Sequence, residues 1–200
     1  MQKIENLEFG NYYHIYNRGI NSENIFKENR NHEYFLMLYS KHIDPIAETL
    51  AWCLLKNHFH LLVRIKTSEE ISESQKKDEI KKIIPPHQSF GNLFNAYTKS
   101  INKGYSRHGA LFERPFKRKL IDNDFYLRSV IKYIHNNPVN HGFCEHPIEY
   151  PWSSYLTCVS EKPTKLKREK VISLFENIES LKAFHSKKEN FNSLEDFLNL

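Results

Sequence analysis

Along residues 58 to 65 apolar and polar positions alternate. Phe59, Leu61, Val63 and Ile65 fall on one side of an extended chain, and His58, His60 and Arg64 on the other. This period of two predicts a strand over about 58 to 66. Residues 123 to 137 instead repeat at helical spacing, with Phe125, Leu127, Val130, Ile131 and Ile134 behind a capping Asn123-Asp124 pair. The pattern predicts a helix over about 124 to 136, stopping near Asn137 because Pro138 disfavours the α conformation in the residue before it. The same reading puts strands at about 11 to 18, 49 to 55 and 116 to 121, and helices at about 31 to 43 and 89 to 103. Their order predicts an α+β fold. It is the split βαβ arrangement of ferredoxin-like domains, an antiparallel sheet with helices packed on it.

The rest of the chain reads as connector and tail. Residues 67 to 87, rich in Glu and Lys and ending in Pro85-Pro86, predict an exposed connector. The expectation is one domain over 1–158 and a helical C-terminal extension over 159–200. In the extension Val171, Ile172, Leu174, Phe175, Ile178 and Leu181 recur at helical spacing, and Ser193 caps a last short helix with Leu194, Phe197 and Leu198. Lys165, Lys167, Arg168 and Lys170 lie beside it, read as part of a structural add-on rather than a DNA contact.

With 200 residues and 40% hydrophobic composition the chain can bury a core. No apolar run approaches 18 residues and the start, MQKIENLEFG, is not a signal peptide, so the expectation is a cytoplasmic protein with no membrane partner. Cys53, Cys144 and Cys158 are scattered and odd in number, which suits reduced thiols. The net charge of +5 is mild, but between Lys99 and Lys119 seven Lys or Arg face one acid, Glu113. Aromatic Tyr105, Phe112 and Phe116 are interleaved there, the mixture expected where bases stack and phosphates are neutralised. Candidate DNA contacts are Lys103, Arg107, Arg114, Lys117, Arg118 and Lys119, with Arg64 and, at the end of the first strand, Arg18.

Two histidines on one face of a strand outline a metal site, although eleven histidines in 200 residues would supply roughly 0.6 His-x-His by chance. Tyr133 and Asn137, at i and i+4, bring a phenol and an amide oxygen together at a helix end. His14 lies alone in a tyrosine-rich strand and reads as a packing residue.

The ordered set YHIYNRG, NHFHLLVRI, YIHNNPVNHG and YPWSSY, spread from about Phe9 to Tyr155, resembles the single-tyrosine HUH transposases, and among them the REP-associated tyrosine transposases and their insertion-sequence relatives. The resemblance implies that His58 and His60 bind a divalent cation, that Asn137 completes its shell and that Tyr133 is the nucleophile. It implies Mg²⁺ or Mn²⁺, although imidazole alone would also suit Zn²⁺ or Ni²⁺. It further implies cleavage and rejoining of single-stranded DNA, at a hairpin-bearing sequence, through a 5'-phosphotyrosine. The tyrosine helix of such proteins serves its own subunit or a partner's, so both a monomer and a homodimer fit. Two other classes share the scaffold: a non-catalytic single-strand binder, and a structural metal or partner-binding protein. A pure binder has no need of His58, His60, Tyr133 and Asn137 together.

Overall fold

The computed structural model describes residues 5–74 and 83–187. Four strands, β1 (Tyr12–Arg18), β2 (Ala47–Leu54), β3 (His58–Ile65) and β4 (Lys117–Ile121), form one sheet in the order β2-β3-β1-β4, every pair antiparallel. Helices α1 (Asn29–His42) and α3 (Pro86–Gly104) connect the strands as expected of a ferredoxin-like fold, and α4 (Asp124–Asn140) follows β4.

The strand residues sort onto two helix layers. Phe59, Leu61, Val63 and Ile65 join Phe35 and Leu38 of α1 and Phe90, Leu93 and Tyr97 of α3 in one core. Leu62, with Leu50 and Ile121, joins Leu127, Val130, Ile131 and Ile134 of α4 in a second. The face that carries the histidines is therefore covered as well, and His60 is buried.

The helix carrying Tyr133 begins as expected, with the Asn123 side chain accepting a bond from the Tyr126 N–H at 2.9 Å. It does not stop at Asn137. It runs through Pro138 to Asn140, because the bond lost at Pro138 affects only the last turn, which closes through His141 N–H to Asn137 O at 3.1 Å and Phe143 N–H to Pro138 O at 2.8 Å. Gly19, at the end of β1, is required by close approach: a Cβ there would lie 2.1 Å from the Glu23 carbonyl oxygen. Its N–H donates to Asn57 O at 2.8 Å and ties the end of β1 to the start of β3.

The connector is partly helical, with α2 (Ser68–Ser74) packing Ile71 into the protein. The extension forms two helices rather than one, α6 (Arg168–Ser173) and α7 (Ile178–Ser186), separated by Glu176 at φ 70° and by the Asn177 cap. Val171, Phe175 and Leu181 enter the α4 core together with Tyr155 and Cys158 of α5 (Tyr155–Val159), so this segment packs on the domain. The cap at Ser193 and the helix with Leu194, Phe197 and Leu198 lie outside the described residues. Among the described residues the three cysteines are free thiols and no helix is long and apolar enough to cross a membrane.

Candidate active site

His58 opens β3, and antiparallel pairing sets Arg18 opposite it and Tyr16 opposite His60. Helix α4 crosses this end of the sheet, and its i, i+4 spacing turns Tyr133 and Asn137 toward β3. The imidazole centroids of His58 and His60 are 5.2 Å apart. The Tyr133 ring stands edge-on to His60 at 5.4 Å, and Asn137 Oδ1 is 3.1 Å from His58 Nε2. The four residues named from the sequence thus meet at one place. Three of them, His58, His60 and Tyr133, border a cleft of about 710 Å³ that is also lined by Tyr16, Arg18 and Lys117, and Asn137 is buried against His58.

The hydrogen bonds of His58 bear directly on metal binding. Its Nδ1 is 2.7 Å from Asn57 Oδ1 while its Nε2 faces Asn137 Oδ1, so both ring nitrogens meet acceptors. Burial pulls the His58 pKa down to about 4, against a smaller upward effect of the Asn137 bond, so at neutral pH the ring has one proton for two acceptors. With that proton given to Asn57, the Nε2 lone pair and the Asn137 oxygen converge, and a cation between them resolves the conflict. Otherwise the Asn137 amide must turn its NH₂ to the ring. His60 is also held neutral, chiefly by burial and then by the neighbouring His14, His58 and His141. Neutral imidazoles are the ligating form. The donor set of two imidazoles and an amide oxygen fits a divalent cation; among the described residues no three His, Cys, Asp or Glu side chains cluster as ligands.

His14 is not a mere packing residue. Its Nε2 lies 3.0 Å from His60 Nδ1, leaving His60 Nε2 as the nitrogen available to a ligand. No hydrogen-bond pattern within one strand signals this contact, which spans 46 positions of sequence.

No protein-family model matches the chain. A protein of Haemophilus influenzae described as a REP-associated tyrosine transposase is 30% identical over 111 residues, which make up 54% of this chain. The chain spans 58% of the length of that curated relative. A solved REP-associated tyrosine transposase bound to a REP hairpin shares the fold, with a TM-score of 0.61 over 82% of this chain and 88% of that one, at 15% identity. The chain is thus similar in sequence to one REP-associated tyrosine transposase and in fold to another.

The basic residues named from the sequence do not share one surface. Arg18 and Lys117 line the cleft, with Arg18 Nε 2.6 Å from Glu113 and still largely exposed. Arg114 and Lys103 are exposed. Arg118 is half-buried over the Phe116 ring at 4.3 Å, and Lys119 lies 3.9 Å from Glu5. Arg64 and Arg107 do not come to the cleft. Arg64 is six residues along β3 from His58, about 20 Å at the rise of a strand, and its guanidinium is held by Glu48 at 2.7 Å and Glu70 at 2.6 Å. Arg107 binds Glu23 at 2.6 Å, Asn102 at 2.6 Å and Ala110 O at 3.1 Å, which makes it a brace for its own loop. Phe112 is a core residue at the edge of a second cavity, Tyr105 donates to Glu28 and Asn31, and Phe116 borders the same cavity with more of its ring accessible. Tyr16, Asn57, His141 and Phe143 are cleft residues that the sequence analysis missed. Tyr16, Asn57 and His141 lie inside the motifs YHIYNRG, NHFHLLVRI and YIHNNPVNHG, and that membership was the available signal.

Proposed function

We propose that this chain cleaves and rejoins single-stranded DNA by attack of Tyr133 on a phosphodiester. The observation that carries the reading is the convergence of the Tyr133 ring on His60, 5.4 Å away, with Asn137 Oδ1 3.1 Å from Nε2 of His58 beside it.

Tyr133 Oη would form a bond to phosphorus as the bond to the 3' oxygen breaks. The phenolic proton leaves the nucleophile, and the departing oxygen takes up a proton to become a 3'-hydroxyl. The product is a 5'-phosphotyrosine, and reversal by another 3'-hydroxyl reforms a phosphodiester without an external energy source. His58, His60 and Asn137 would hold a divalent cation, Mg²⁺ or Mn²⁺, which when bound supplies charge neutralisation at the phosphate. Arg18 and Lys117 at the cleft would position the strand through its phosphates. The tyrosine helix packs on the histidine strand of its own chain, which supports a nucleophile acting in cis. A relative solved with a REP hairpin points to hairpin-bearing single strands as the substrate.

The test is incubation of the protein with labelled hairpin-bearing single strands and Mn²⁺, followed by denaturing electrophoresis. A protein-DNA adduct is expected with wild type, none with Tyr133→Phe, and none in EDTA. An adduct that persists in Tyr133→Phe would assign the nucleophile elsewhere. Tight binding with no adduct under any metal would make the chain a single-strand binder.

A further inference from the structure

A second cavity, of about 510 Å³, lies between α3 and residues 111–116 and shares Asn17 and Glu113 with the cleft at Tyr133. Its size suits a small planar ligand. One stripe of α3, Gly91, Asn95 and Thr98, forms one wall, and Phe94 and Phe116 add aromatic surface. The chemistry at Tyr133 makes no use of it.

Gly91 is the informative residue. It sits inside α3, where glycine is the poorest helix former after proline. No close packing requires it, since a Cβ placed there would meet no atom within 4 Å. Nor does its backbone take the left-handed conformation that would favour glycine. The missing side chain leaves the cavity open. Beside it, Asn95 is exposed and offers both an amide donor and an acceptor, Thr98 offers a hydroxyl, and Arg114 is exposed at the rim with no ion pair among the described residues. Aromatic faces, an amide and a nearby cation are the elements that receive an unpaired base and its phosphate.

We propose that this cavity takes one unpaired base of the DNA strand whose phosphate lies at Tyr133. The inference rests on the reading of the chain as a single-strand DNA enzyme. The two cavities share a wall at Asn17 and Glu113, so a strand in the cleft passes the mouth of the second.

The test uses the full chain carrying Tyr133→Phe, so that binding is measured without cleavage. The probe is a fluorescein-labelled pool of DNA hairpins with randomised single-stranded flanks, read by anisotropy. Adding Gly91→Leu should weaken binding at least tenfold, while Gly91→Ala, which leaves most of the space, should change it less than threefold. Both should melt at or above the parent's temperature, because both improve the helix. In strands selected from the pool, one abasic position should weaken the parent about tenfold and leave the Gly91→Leu protein unaffected. Equal binding of the pool by the parent and Gly91→Leu would overturn the base pocket alone. No binding by the parent would overturn the DNA reading and the pocket with it.

Discussion

His14 Nε2 and His60 Nδ1 lie 3.0 Å apart, both rings buried and nearly parallel, with centroids 5.1 Å apart. One imidazole thereby sets the orientation of another, and His60 can present only Nε2 to a cation. For the His60 Nε2 lone pair to be free, His60 must donate its Nδ1 proton to His14 Nε2, which in turn keeps the His14 proton on Nδ1. That Nδ1 is buried and has no hydrogen-bond partner among the described residues. The ligating tautomer is therefore held at some cost to the fold.

Replacing His14 with Phe keeps the ring and removes its nitrogens. Such outer partners of metal ligands affect affinity by about 10- to 100-fold, and Mn²⁺ affinity measured by calorimetry should fall within that range. Unchanged Mn²⁺ binding would return His14 to a packing role.

Asn137 should behave as a ligand and not as a helix residue. Asn137→Leu is expected to abolish Mn²⁺ binding and adduct formation, whereas Asn137→Asp, which supplies a harder oxygen at the same position, should bind Mn²⁺ at least as tightly as wild type. Equal loss in both variants would mean that the amide serves packing of α4.

Phe143 is 41% exposed at the edge of the cleft, with Lys56 Nζ 5.7 Å from its ring centre. A base stacked on such a ring contributes about 1–3 kcal/mol. Phe143→Ala should weaken single-strand binding by roughly fivefold or more with little change in melting temperature, and Phe143→Trp should restore it.

Glu48 joins three cations: Arg64 at 2.7 Å, Lys167 at 3.2 Å and Lys170 at 3.7 Å. Burial alone would raise its pKa, but the bonds from Arg64 and Lys167 outweigh this and hold it down at about 2. Because the folded value lies below the unfolded one, the stabilisation is complete above about pH 4.5 and is lost as pH falls through about 2. Glu48→Gln should cost about 2 kcal/mol in urea unfolding at pH 7. It should also flatten the loss of stability between those two pH values. A variant that keeps the wild-type acid profile would show that other carboxylates govern it.

Much of this architecture was legible as pattern. The period-two run at 58–65 and the helical spacing at 123–137 are local signals, because side-chain direction follows directly from backbone geometry. They placed β3 and α4 within a few residues, and with the recognised motifs they named the four side chains that come together where α4 crosses β3. The Asn123 cap was equally local. Pro138 misled, since the rule for the residue before a proline carries no information on how the last turn finds its bonds.

What the chain's own order could not show are relationships between distant segments. The alternation at 58–65 separates two faces but does not say that α4 packs on the second one, where His60 is buried and held neutral. A count of Lys and Arg registers charge without its partners, and Glu48 and Glu23 reach Arg64 and Arg107 only once the sheet and the loop at residues 102–110 are assembled. His14 became a partner of His60 because antiparallel pairing of β1 with β3 brings together residues 46 apart. Periodicity follows from local backbone geometry, whereas hydrogen bonds, ion pairs and cavities depend on which segments the fold sets side by side.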